Sequence, residues 1–353
     1  MEIAAIILSL FFAMNIGASG AAASMGIAYG SGAVPKYRHA LIICAVGVLL
    51  GAVIGGGEVI KTISSGIIPE HIITIEIVSI IIGSAGLSLF IANVLGIPLS
   101  TSEVTVGAVV GVGIAYQVLY IKSIFIILIF WVIVPVIAFC ITYFAGRLFN
   151  FGKYQRMGKF GKILTVLLIA SGFFEAFSAG MNNVANAVGP LVAAGVLTVN
   201  QGTLYGGLFV ALGALILGRR VLETNGKKIT NLTKGEGILL SSTGAALVII
   251  SSIFGMPVPL TQVTSSSIIG MGMAKNGRNV FHKDIVKTMF KVWVVSPILS
   301  LTLSYFLVCI LLIGDYYTAF IMFSVLLASI GVLSLMKSVK NERRSVHEQG
   351  GGI

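Results

Sequence analysis

Apolar runs of about 20 residues recur along this chain, the length at which an α-helix crosses the hydrocarbon core of a bilayer. No other feature constrains the fold so strongly. In hydrocarbon every backbone polar group must be paired within the protein, which leaves helices or a closed barrel. The runs are continuous rather than alternating, so the expected class is an all-α polytopic membrane protein. Composition agrees: of 353 residues 57% are hydrophobic and 10% charged. The net charge of +11 does not point to nucleic acid, because the basic residues fall between the apolar runs. Retention of basic loops on the cytoplasmic side accounts for them. Met1-Glu2-Ile3 offers no basic leader region, so the first run reads as a membrane helix. Cys44, Cys140 and Cys309 lie in apolar runs without metal-ligand spacing and read as small buried side chains.

The chain repeats itself. Gly96-Ile-Pro-Leu-Ser-Thr-Ser-Glu-Val-Thr105 aligns with Gly255-Met-Pro-Val-Pro-Leu-Thr-Gln-Val-Thr264, and the register holds through Gly111/Gly270, Gly113/Gly272 and Ala115/Ala274. Trp131 and Pro135 recur as Trp293 and Pro297, and Gly17–Gly26 lies opposite Gly180–Gly189. Each half offers five membrane segments, an odd number, so the second half is expected upside down relative to the first. The basic clusters Lys36–Arg38, Arg147–Lys162, Arg219–Lys234, Lys275–Lys291 and Lys337–Arg344 can then all share one face. This gives a first inverted repeat over 1–146, a basic cytoplasmic linker over 147–162 and a second repeat over 163–312. An extra membrane helix over 313–337 and a cytoplasmic tail over 338–353 follow. Met1 starts outside. Internal repeats with broken or re-entrant helices are a carrier signature. Whether the Pro98 and Pro257 elements re-enter or span stays open.

Two kinds of stretch carry the chemistry. Ser178 to Pro190 places Asn182, Asn183 and Asn186 in an apolar run with no charge, among Gly180, Gly189 and Pro190, residues able to break a helix. Such carboxamides either form a mid-membrane site or glue helices together. The second kind is Ser100-Thr101-Ser102 after Pro98, with its counterpart Thr261 and Thr264 after Pro257 and Pro259. Free backbone N–H groups and the dipole at a helix N-terminus favour an anion. Hydroxyls add donors without charge, and two such ends facing each other make a neutral cage for a small oxyanion. Simple N-capping is the alternative.

Gly180-Met-Asn-Asn-Val-Ala-Asn-Ala187 resembles the Gly-Ala-Asn-Asp-Val-Ala-Asn-Ala signature of the inorganic phosphate transporter family. Pro98-Leu-Ser-Thr-Ser102 resembles that family's Pro-Val-Ser-Thr-Thr/Ser element. The likeness covers nearly the whole chain. The resemblance implies an inverted-repeat secondary carrier, a homodimer in the bilayer, and coupling to sodium or protons. By motif, the oxyanion site comprises Ser19, Ser100, Thr101, Ser102, Asn182, Asn183, Thr261 and Thr264. The chain departs from the signature at both acidic positions. Asn183 replaces the Asp in the second half, Ser19-Gly20 stands for Asn-Asp in the first, and Ala23 for the later Asn. Hydrogen phosphate can donate its proton to a carboxylate, whereas sulfate has no proton to give, so a pocket of donors alone favours sulfate. The chain is also similar to the bacterial sulfate permease branch. The expected function is sulfate import across the cell membrane by alternating access, with phosphate as the alternative anion and a channel as the alternative mechanism.

Loss of the signature carboxylates favours protons over sodium as the coupling ion. Glu103, beside Ser102, is the first candidate carrier, Glu175 the second and Glu58 a weaker third. Lys61, Arg219 and Arg220 either draw in the anion or snorkel to the interface. His39, His71, His282 and His347 lie in or beside loops and do not cluster with Cys or Asp. No enzyme chemistry, cofactor or metal site is expected.

Overall fold

In the computed structural model the described residues are 1–94, 100–149, 161–228, 232–277, 284–318, 320, 321 and 324. Residues 1–304 form one compact unit and residues 305–353 a second. The expected extra helix over 313–337 and the tail fall largely outside the described residues, as do most of the basic linker and Pro98.

Thirteen α-helices are described: α1 Glu2–Ile16, α2 Gly26–Gly30, α3 Tyr37–Gly55, α4 Gly57–Lys61, α5 Ile75–Val94, α6 Thr101–Ala115, α7 Ile121–Leu148, α8 Gly161–Ala193, α9 Val199–Leu217, α10 Arg219–Lys228, α11 Lys234–Ile253, α12 Leu260–Asn276 and α13 Asp284–Val308. Gly17–Ala21 and Thr62–Gly66 are π-turns. Among the described residues seven helical stretches are long and apolar enough to cross a membrane, while Ile75–Ile91 and Thr101–Ala115 are shorter. Phe125, Val132 and Phe144 on α7 and Val294 on α13 are exposed, as lipid-facing side chains are.

Glycines set the helix packing. A Cβ at Gly17 would overlap the carbonyl of Val210, and one at Gly180 that of Val48. Likewise Gly51 lies on Phe177 and Gly213 on Met14. These contacts are reciprocal: each joins residues whose counterparts in the other half make the matching contact. The same holds for Gly111 against Leu301 and Ser304, and Gly270 against Phe139 and Thr142. Removing a side chain lets backbones approach closely, the usual basis of helix association in lipid.

The expected break within Ser178–Pro190 is not there: α8 runs unbroken from Gly161 to Ala193 with Pro190 inside it. Gly180 and Gly189 serve contacts, against Val48 and Ile63. Pro190 sits in the last turn, where its missing N–H removes a single helical bond. The irregularity falls in the opposite stretch, at the Gly17–Ala21 π-turn, and at two helix pairs.

In the first pair, α5 and α6 have their outer ends together: Gly113 lies against Ile68 and Leu119, and Tyr120 N–H donates to Ile67 O at 3.0 Å. In the second, Lys275 Nζ pairs with Glu236 at 2.7 Å, joining the last turn of α12 to the first of α11. Gly47, Gly51 and Gly55 of α3 meet Phe173, Phe177 and Met181 of α8 in turn, so α3 and α8 run parallel. The α5–α6 base adjoins the chain that leaves the C-terminal end of α3. Lys234 at the α11–α12 base donates to Thr165 Oγ1, near the start of α8, at 2.8 Å. The two bases therefore lie on opposite faces.

Candidate functional site

The inner ends of these two pairs meet beside the middle of α8. Ser100 precedes α6 with extended backbone (φ −93°, ψ 133°) and Pro259 precedes α12 with φ −73°, ψ 98°. Neither makes a side-chain cap bond, so the first N–H groups of both helices have no capping side chain. The ordinary capping role proposed for Ser100 is thus not what its hydroxyl does.

Glu103 is fully buried. Its Oε1 accepts from Gln262 Nε2 and its Oε2 from Ser296 Oγ. Gln262 is the residue that aligns with Glu103 in the repeat, 159 positions later, so two counterparts touch one another. No ion pair among the described residues includes Glu103 or Glu175. Ser300 Oγ and Ser304 Oγ donate to Val104 O and Ala108 O at 2.6 and 2.8 Å, fixing α6 on α13.

From α8, Asn182 reaches both pairs. Its Nδ2 donates to Ser252 Oγ and Met256 O, each at 2.9 Å, and its Oδ1 accepts from Val258 N–H at 3.1 Å and Ser102 Oγ at 3.4 Å. Asn186, one turn on, donates to Ser102 Oγ at 3.1 Å and Thr101 Oγ1 at 3.3 Å. Trp131 Nε1 donates to Pro257 O at 2.7 Å and holds the α11–α12 tip from the other side. Each of these polar groups, buried unpaired, would cost about 1–3 kcal/mol.

Asn183 points elsewhere. It is buried, its Oδ1 is unpartnered among the described residues, and a Cβ on Gly20 would lie 3.6 Å from its Nδ2. Asn186 Oδ1 is likewise buried and, among the described residues, unpartnered. Thr264 Oγ1 donates to Glu175 Oε1 at 3.4 Å, making a second polar cluster between α8 and α12. Thr261 is half-buried beside Gln262. Ser19 is exposed and donates to Asn15 O of its own helix at 2.9 Å. Glu58 is tied to Lys61 at 2.6 Å, and Arg219 to Glu223 at 2.8 Å, both at the surface.

Thr101, Ser102, Glu103 and Asn182 are thus gathered into one region, with Ser100 and Thr261 next to its members in the chain and Asn183 alongside; Ser19 makes no bond to it among the described residues. Gln262, Ser252 and Ser296 are the additions, with Asn186, which the sequence placed among the three carboxamides but the motif-derived set left out. Asn186 was legible, since it lies four residues from Asn182 on one helix face. Ser296 had no signal beyond its place before Pro297.

A membrane-length helical bundle with two helix pairs entering from opposite faces and a buried polar centre is the architecture of a membrane transporter. The chain belongs to the phosphate transporter family, whose model matches residues 16–160 and again 152–304. It is 73% identical over 354 residues to sulfate permease CysP of Bacillus subtilis (strain 168), covering all of both chains. It is also similar to a solved structure, the sodium-dependent phosphate transporter, with a TM-score of 0.75 and 25% identity over 86% of this chain and 97% of that one. The protein is a multi-pass anion transporter of the cell membrane.

Proposed function

We propose that this chain imports sulfate by proton-coupled symport, alternating access around the site between the two helix-pair tips and α8. One observation carries the choice of anion and ion together. Gly20 and Asn183, the two positions at which the family signature has Asp, face one another. Two carboxylates there would repel each other unless a cation lay between them. A glycine and an amide need no cation, and they present no carboxylate to accept a proton from hydrogen phosphate. The full-length likeness to a protein named as a sulfate permease supports the same reading. The reciprocal glycine contacts support two inverted repeats, which alternating access uses as its two rocking halves.

Sulfate brings two negative charges, so uptake against an inside-negative potential needs at least two accompanying cations for electroneutral entry. Glu103 is the first candidate to carry a proton. It adjoins Ser102, and a charged carboxylate there would oppose a bound dianion while a protonated one would not. Proton and sulfate would then favour each other's binding. The test is labelled sulfate uptake into proteoliposomes, driven by an inside-alkaline pH gradient without sodium or by a sodium gradient at equal pH. Sulfate uptake that responds to the pH gradient and resists phosphate competition is expected. Glu103→Gln should lose that response and keep sulfate-for-sulfate exchange. Phosphate uptake exceeding sulfate uptake overturns the anion; a requirement for sodium overturns the proton; absence of counterflow in loaded vesicles makes it a channel.

A further inference from the structure

A pocket of about 470 Å³ opens where the start of α3 meets the junction of α9 and α10. Its polar rim is Tyr37, Arg38 and Arg219, and its apolar wall is Leu41, Ile42, Leu215 and Ile216. The rim is built rather than incidental. The Arg219 guanidinium lies over the Tyr37 ring, 4.5 Å from its centroid, and its Nε donates to Glu223 Oε1 at 2.8 Å. Arg38 Nε donates to Tyr37 Oη at 3.3 Å. Each of these bonds uses one of the five donors a guanidinium carries. Glu223 fixes Arg219 without cancelling the rim, because Arg38 adds a second cation. One turn further along, Ile42 and Ile216 are 51% and 65% exposed, at the ends of two membrane-length helices. The pocket therefore begins at the membrane surface and continues down into hydrocarbon.

The opposite face supplies an internal control. Val199, Asn200 and Gly57 occupy the positions that match Tyr37, Arg38 and Arg219, and a Cβ on Gly57 would lie 3.4 Å from Val199 Cγ1. The same helix junction thus closes there with no aromatic ring and no guanidinium at the three matching positions, with Glu58 and Lys61 paired to each other beside it, so packing does not demand them. Topology does not demand them either. A loop lysine retains a segment on the cytoplasmic side without being stacked on a tyrosine at the mouth of an apolar pocket. A soluble anion would gain nothing from four aliphatic side chains.

We propose that this pocket binds an anionic phospholipid, with the headgroup phosphate between Arg38 and Arg219 and an acyl chain along Ile42, Leu215 and Ile216. Guanidinium groups suit phosphate because they present paired, planar donors, and basic pockets between membrane helices on the cytoplasmic side, where the sequence expectation puts the Lys36–Arg38 and Arg219–Lys234 clusters, bind anionic headgroups. The proposal is independent of which solute the carrier moves.

The experiment is native mass spectrometry of the intact purified protein titrated with phosphatidylglycerol or phosphatidylcholine of matched chains. Wild type should retain phosphatidylglycerol at a tenfold or greater lower concentration. Arg38→Gln/Arg219→Gln should erase that preference, and Asn200→Ala on the opposite face should keep it. Equal retention of the two lipids by wild type overturns the proposal without need of any variant. An unchanged preference in the double variant also overturns it. So does displacement of phosphatidylglycerol by sodium sulfate but not by sodium chloride at equal ionic strength, which would make the pocket a site for the soluble anion. Should the double variant fail to fold, Ile42→Trp in wild-type background decides location: brominated phosphatidylglycerol should quench the added tryptophan more than brominated phosphatidylcholine, and equal quenching places the lipid elsewhere.

Discussion

Gly17–Gly26 and Gly180–Gly189 share a matching backbone contact at their first glycines and have different polar chemistry. Gly17 presses on Val210 as Gly180 presses on Val48. Yet the first stretch loosens into a π-turn, with Ser19 bonded only to its own helix among the described residues. The second stays helical and sends Asn182 and Asn186 to both helix pairs. The matched glycines are held by packing, which the backbone approach imposes on both halves alike. The polar residues are free of that constraint, and of the two stretches only the second sends amides to the helix pairs.

Substitutions can break this comparison at its strongest point first. Gly17→Val and Gly180→Val should each destabilise by more than about 3 kcal/mol, because the added atoms meet backbone, which cannot rotate away. Yield of monodisperse protein and thermal unfolding in detergent check this; one variant behaving like wild type would mean the two contacts are not equivalent.

Next, Asn182→Ala leaves the Val258 N–H and Met256 C=O unpaired. A loss of about 2–4 kcal/mol is expected from two buried orphan groups, read as a lower unfolding temperature together with weaker sulfate binding. Unchanged stability would show that water replaces the carboxamide.

Asn183→Asp tests the facing pair and should be milder for folding. It restores one signature carboxylate opposite Gly20, so sulfate affinity should fall about tenfold, or roughly 1.4 kcal/mol, with phosphate competing better. Competition against labelled sulfate measures both. Sulfate preference as strong as in wild type would remove Asn183 from selectivity.

The smallest effect is expected at Ser19→Ala. Its hydroxyl satisfies only Asn15 O within its own helix, so stability should change by less than about 0.5 kcal/mol and sulfate affinity by less than twofold. A loss as large as that of Ser102→Ala, for which about 1.5–3 kcal/mol is expected when a donor to a dianion is removed, would bring Ser19 back into the site.

Much of this was legible in the residues. Runs of apolar side chains dictate helices in a membrane, because hydrocarbon offers the backbone no other partner. Alignment of Glu103 with Gln262 paired two positions that the fold brings into contact. Asn182 and Asn186, four apart, had to share a face. The helix break was misread, since glycine and proline in a sequence cannot say whether they interrupt a helix or let a neighbour come close. The sequence by itself determined the membrane class, the two related halves and the loss of both signature carboxylates. Tertiary structure alone decided which amide does what. Successive residues on a helix point about 100° apart, so Asn182 and Asn183 look at different neighbours. One finds the Val258 N–H and the Met256 carbonyl and is used up; the other lies opposite Gly20 and, among the described residues, keeps an open acceptor. That outcome depends on which helices pack beside α8, and the local sequence does not encode it.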